Sequence, residues 1–130
     1  MANKTSTEVI EGMIQLSADV IALCQRLSLP HSVVDQVTRS VTSIGANFTE
    51  AQDASSKKDF LNKIYIAKKE ASETKYWLAV VEKLSGVTDE LTAASEQSQR
   101  YVMMLQKIVN TSREPNRKSL IAHSSEMDNR

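Results

Sequence analysis

Glu70 and Glu73 stand three residues apart, and in a helical bundle such a pair can supply half of a carboxylate-bridged metal centre. Those centres are completed by Glu-x-x-His motifs on other helices. The chain has two histidines, His31 and His123, and neither follows a glutamate at that spacing. A di-metal carboxylate enzyme is therefore the third-ranked function class, behind two binding classes. The pair reads instead as solvated glutamates bonded to Lys69, or to Lys68 and Lys75 on adjacent turns. Cys24 is the lone cysteine, so the chain has no internal disulfide and no cysteine zinc site. Without a plausible histidine partner it is no candidate thiol nucleophile, and beside an apolar seam it reads as a small core residue. No catalytic residue, cofactor or metal ligand is assigned.

Charge gives a better lead. The chain as a whole is neutral, with 16 basic and 16 acidic side chains. Between residues 55 and 84, however, Lys57, Lys58, Lys63, Lys68, Lys69, Lys75 and Lys83 outnumber Asp59, Glu70, Glu73 and Glu82 by three. Over residues 1–54 the balance is reversed by the same amount. Lys57, Lys58, Lys68, Lys69 and Lys75 are the candidate nucleic-acid residues, with Lys57, Lys68 and Lys75 sharing one helical face and Lys58 and Lys69 an adjacent one. Tyr76 is the nearby aromatic expected to be exposed, so no stacking platform is evident. Asn47 and Glu50, one turn apart, form a polar rim. Asn47 is expected to bond a neighbouring helix, and Glu50 to pair with a lysine, within the chain or across a subunit boundary.

These residues need helices to hold them, and the apolar spacing supplies four. The first is expected over residues 7–27, opened by a Thr5–Glu8 capping box, with Val9, Met13, Leu16, Val20, Leu23 and Leu27 as its seam. The Ser28-Leu29-Pro30 turn ends it, and a second helix is expected from Ser32, with Asp35 three residues on, to about residue 54. Its seam is Val34, Val37, Val41, Ile44, Phe48 and Ala51. Ser56 and Asp59 open a third helix over residues 57–84, with Phe60, Ile64, Ala67, Ala71, Thr74, Leu78 and Val81 facing inward. Gly86 is placed for a left-handed cap, and Thr88 starts a fourth helix along Leu91, Ala94, Ser98, Tyr101, Leu105 and Ile108. The fold class is thus all-α, an up-down-up-down four-helix bundle over residues 1–111, followed by a polar, disordered tail over residues 112–130.

One stripe per helix fills such a core, and this chain carries more. Ile10, Ile14 and Ile21 lie beside the first seam; Tyr65, Ile66, Trp77 and Val80 lie beside the third. The run Tyr101-Val102-Met103-Met104-Leu105 covers the fourth helix on every side at about 100° per residue. Met103 and Met104 cannot both point inward, so they mark an interface, and self-association is the simplest cover. The polar opening of the chain and the lack of a long apolar run predict a soluble, cytoplasmic protein with no membrane partner.

The run Ser43-Ile44-Gly45-Ala46-Asn47-Phe48-Thr49-Glu50-Ala51 resembles the signature of a bacterial four-helix-bundle family whose founding members are encoded by intervening sequences in 23S ribosomal RNA genes. Ser56-Lys57-Lys58-Asp59-Phe60 is similar to that family's turn. Residues 65–78, YIAKKEASETKYWL, are similar to its continuation. The resemblance is specific over residues 40–78 and pattern-level over residues 9–111. It implies a homopentameric ring without enzymatic activity, related to accessory variability proteins of diversity-generating retroelements. Those relatives work with a reverse transcriptase and bind nucleic acid through basic surfaces, whereas this chain is neutral. The leading expectation is a non-enzymatic, homo-oligomeric binding or scaffolding bundle whose partner is itself together with RNA, DNA or a nucleoprotein. The alternative is a protein–protein adaptor that touches no nucleic acid.

Overall fold

The structure is a computed structural model that describes residues 4–127, with side chains through residue 113. Four helices follow one another: α1 (Ser6–Arg26), α2 (His31–Gln52), α3 (Lys57–Ser85) and α4 (Asp89–Met127), and no strand occurs among the described residues. Local chemistry starts three of them. Glu8 N–H donates to Thr5 Oγ1 at 3.2 Å while Thr5 N–H donates to Glu8 Oε1 at 2.9 Å, a closed capping box. Asp59 N–H donates to Ser56 Oγ at 3.0 Å; the Asp59 carboxylate reaches back one residue further than expected, to Ser55 N–H at 3.4 Å. Leu91 N–H donates to Thr88 Oγ1 at 3.1 Å. α2 is the exception. Its cap position is Pro30 with no side-chain bond, so Ser32 and Asp35 do not open it as expected.

Short joints force each helix back along its predecessor, and contacts between helix ends record the alternation. Ser6 Oγ at the start of α1 donates to Gln52 Oε1 at the end of α2 at 3.0 Å. Arg26 at the end of α1 pairs with Glu90 at the start of α4 at 2.7 Å. Gly86 takes φ +93° and ψ 160°, a backbone region open to glycine, and donates its N–H to Glu82 O at 2.8 Å. That is an extended exit from α3 rather than the compact left-handed cap expected.

The seams form the core. Met13, Val20, Val37, Val41, Ile44, Ile64, Leu78, Val81, Leu91 and Leu105 are essentially sealed from solvent. Each such side chain contributes about 1.5–3 kcal/mol through burial. The ends of the seams drift: Val34 and Phe60 are half-buried, and Val109 rather than Ile108 closes α4. Ser40, Thr74 and Ser98 are fully buried, and each hydroxyl donates to a carbonyl of its own helix, so none is left unpaired. Cys24 is buried among these residues, and burial pushes its thiol pKa up.

Two glycines bring helices together. A Cβ on Gly12 would lie 2.6 Å from the Tyr101 hydroxyl, and one on Gly45 would lie 3.2 Å from Met13 Cβ. Away from Gly12, α1 and α4 barely meet, and a groove of about 620 Å³ opens between them, bordered by Leu16, Leu23, Ala93, Ala94 and Tyr101. α4 carries past Thr111 to Met127. Apart from Ser112 and Arg113, the tail expected over residues 112–130 lies outside the residues whose side chains are described.

Candidate nucleic-acid interface

α3 has two long edges, and cations lie on both. On the α2 edge they meet carboxylates. Lys63 Nζ lies 2.9 Å from Glu50 Oε1, and Glu50 raises the Lys63 pKa above its ordinary value, chiefly by hydrogen bonding. Arg39 of α2 reaches the other way, to Glu70 Oε1 at 3.1 Å and to Glu73. The Glu73 bond comes first in raising the Arg39 pKa, and the same bond holds the Glu73 carboxyl below the usual range. Trp77 Nε1 also donates to Glu73 Oε2, at 3.3 Å. Glu70 and Glu73 are therefore held by an arginine on α2, not by the lysines of their own helix. No cluster of potential metal ligands occurs among the described residues.

On the α4 edge the partners are neutral. Lys68 Nζ donates to Gln106 Oε1 at 2.6 Å, and Lys75 Nζ donates to Gln99 Oε1. An amide oxygen accepts one ammonium hydrogen and cancels none of the charge, so both lysines keep a full positive charge and free donors. Lys68 also sits 5.3 Å from the centre of the Tyr65 ring, a cation–π contact. Where this edge reaches the α2–α3 turn, a recess of about 430 Å³ is lined by Ser56, Lys58, Asp59, Asn62, Tyr65 and Arg113 among others.

The lysines expected on two adjacent faces have different surroundings. Lys68 and Lys75 share the α4 edge and Lys58 lines the recess at its end, whereas Lys57 and Lys69 are exposed and do not line that recess. Tyr65 is 45% exposed, so the edge has an aromatic surface that the sequence reading placed only at Tyr76. Gln99, Gln106 and Arg113 were not singled out, though they recur at seven-residue steps on α4 opposite Lys75 and Lys68 on α3. That matched heptad spacing was the available signal. The polar rim does not assemble as a site. Asn47 Nδ2 donates to Ser43 O of its own helix at 2.9 Å, not to a neighbouring helix, and Glu50 is taken by Lys63 within the chain. Met103 is 62% exposed, whereas Met104 is half-buried against the core.

Comparison with known proteins agrees with this architecture. Residues 5–107 match the 23S rRNA-intervening sequence protein family, and the chain belongs to it. A crystal structure of a protein with unknown function from the S23 ribosomal protein family of Bacteroides thetaiotaomicron is similar at a TM-score of 0.70 and 31% identity, covering 81% of this chain and 97% of that one. Among curated proteins nothing matches.

Proposed function

We propose that this member of the 23S rRNA-intervening sequence protein family acts without catalysis, as a homo-oligomeric bundle in the cytoplasm that binds or scaffolds a nucleic acid or a nucleoprotein such as a reverse transcriptase complex. The observation that carries the reading is apolar surface left outside a filled core. Ile14, Tyr76 and Met103 are 59%, 61% and 62% exposed on α1, α3 and α4 while the inward seams are buried along their middles. Side chains of this size on several faces of a small domain are covered most simply by further copies of the same chain. A ring, five-membered if the family resemblance carries over, repeats the lysine-rich α3 around its axis, and that repetition supports a local positive field on a neutral protein.

Light scattering coupled to gel filtration tests the assembly, which should persist in high salt because apolar burial is not screened. Replacing Met103 and Met104 by Glu should dissociate it with most helicity retained. A monomer at micromolar concentration would remove the interface from this reading. A salt-sensitive mobility shift with RNA or DNA tests the ligand. An intact oligomer that binds neither leaves the protein–protein adaptor, which the zero net charge favours.

A further inference from the structure

We infer that the α3/α4 edge is a track for one unpaired nucleic-acid strand, with Lys58, Lys68, Lys75 and Arg113 holding its phosphates and Tyr65 stacking a base. The inference rests on the nucleic-acid reading above and gives it a place and a strand type.

Pairing decides which cations are available. On the α2 edge Arg39 and Lys63 already face Glu70, Glu73 and Glu50, so a phosphate there would have to displace a carboxylate. On the α4 edge Lys68 and Lys75 face Gln106 and Gln99. Each ammonium gives one of its three hydrogens to the amide and has two further donors for a phosphate. The glutamines also restrain the lysine chains, which lowers the ordering cost of binding. Gln106 is itself tethered, donating through Nε2 to Asn110 Oδ1 at 3.0 Å. At 1.5 Å per residue Lys68 and Lys75 stand about 10 Å apart, and Lys58 to Lys75 spans roughly 26 Å. Lys68 and Lys75, at heptad spacing, lie one above the other on the α4 edge, and Lys58 stands further round α3 at the recess, a one-sided strip of cations suited to a single backbone rather than to a duplex whose strands wind around each other. Tyr65 decides the rest. It is 45% exposed and lines the recess with Lys58, Asn62 and Arg113, with Lys68 beside its ring, and a ring can stack only on a base that has no partner above it. Among the described residues Asp59 is the one carboxylate lining that recess, and it is turned to Ser55 N–H.

Fluorescence anisotropy of the full-length protein with a labelled oligouridylate of about 20 nucleotides and a duplex RNA of equal length tests this between 50 and 200 mM salt. The single strand should bind at least about tenfold more tightly than the duplex. Replacing Lys68 and Lys75 together by Gln should weaken binding about tenfold or more and reduce the slope of log affinity against log salt by about 1.4, or 0.7 per phosphate contact. Tyr65→Leu should weaken binding about tenfold with the slope unchanged, and Tyr65→Phe should retain it. Lys63→Gln removes the same charge from the other edge and should change affinity less than about twofold. Far-UV circular dichroism checks that each variant is folded. Equal or tighter duplex binding overturns the strand type. If Lys57→Gln and Lys69→Gln weaken binding while the Lys68 and Lys75 variant does not, the location is overturned and the broader reading stands. A wild-type protein that binds neither probe overturns both.

Discussion

The α2–α3 pair and the α1–α4 pair close the same bundle by different means. α2 and α3 are neighbours in sequence, joined by a turn with its own cap, packed along their full length and tied outside the core by Arg39 and Lys63 to three glutamates. α1 and α4 meet only after the chain has gone around. Arg26 and Glu90 join one end, and Tyr101 crosses to Gly12 near the other. Between these points small residues such as Ala22, Ala93 and Ala94 leave a groove unfilled. A local hairpin can thus be built from redundant contacts, whereas the closing joint depends on a few long-range ones whose loop entropy must also be overcome.

The largest expected effect tests the first half of that contrast. Phe48, on α2, is buried, so Phe48→Ala should destabilise the protein by about 3–5 kcal/mol in urea unfolding. Phe60 is only half-buried, and Phe60→Ala should cost clearly less. Equal losses would mean that the α2–α3 seam is more closed at the turn than described.

The closing joint is probed next. Gly12→Ala would put a methyl group 2.6 Å from the Tyr101 hydroxyl and should cost about 1–3 kcal/mol. Tyr101→Phe removes that oxygen, and the next ring atom is 3.9 Å from the new Cβ. The double variant should recover most of the loss, and additive losses in the cycle would show that the helices do not touch there.

Ser56→Ala at the α2–α3 turn removes one cap bond, for about 1 kcal/mol. The smallest effect is electrostatic. Arg39 depresses the Glu73 pKa, so its contribution is complete above the ordinary glutamate range, near 4.3, and is lost as pH falls through the lowered value. The pair is largely solvent-exposed, so about 0.2–1 kcal/mol is at stake. Urea midpoints from pH 7 to pH 2 should fall less steeply for Arg39→Gln than for the wild type. Identical slopes would show that the pair adds nothing to the α2–α3 edge.

Much of the α2–α3 half was legible in the sequence because its determinants are local. The Ser56 cap lies within four residues of what it organises, and the seam from Val37 to Ala51 keeps its phase over four turns. The seams lost register at their ends, as at Ile108 and Val109, because 3.6 residues per turn drifts against a seven-residue pattern. Partner identity was less legible. That Glu70 and Glu73 belong to Arg39, and Lys68 and Lys75 to glutamines, depends on how each helix is rotated and shifted against the next. A period within one helix carries no information about that. The free hydroxyl of Ser32 gave no cap because Pro30 had already set the start of α2.

Cys24 turns the unequal closure into something that can be timed. Its sulfur is sealed on the inner face of α1, the helix with the sparser partner on one side, and it is the lone thiol of the chain. A disulfide reagent reaches it when α1 lifts or when the whole domain unfolds, so labelling in excess of global unfolding reports opening of that helix. Where reclosing is faster than labelling, the rate gives the free energy of that opening. If α1 detaches as a unit, that free energy will be smaller than for global unfolding and will depend weakly on urea, because little surface is exposed. Mass spectrometry of labelled and unlabelled chains would then time the opening of α1.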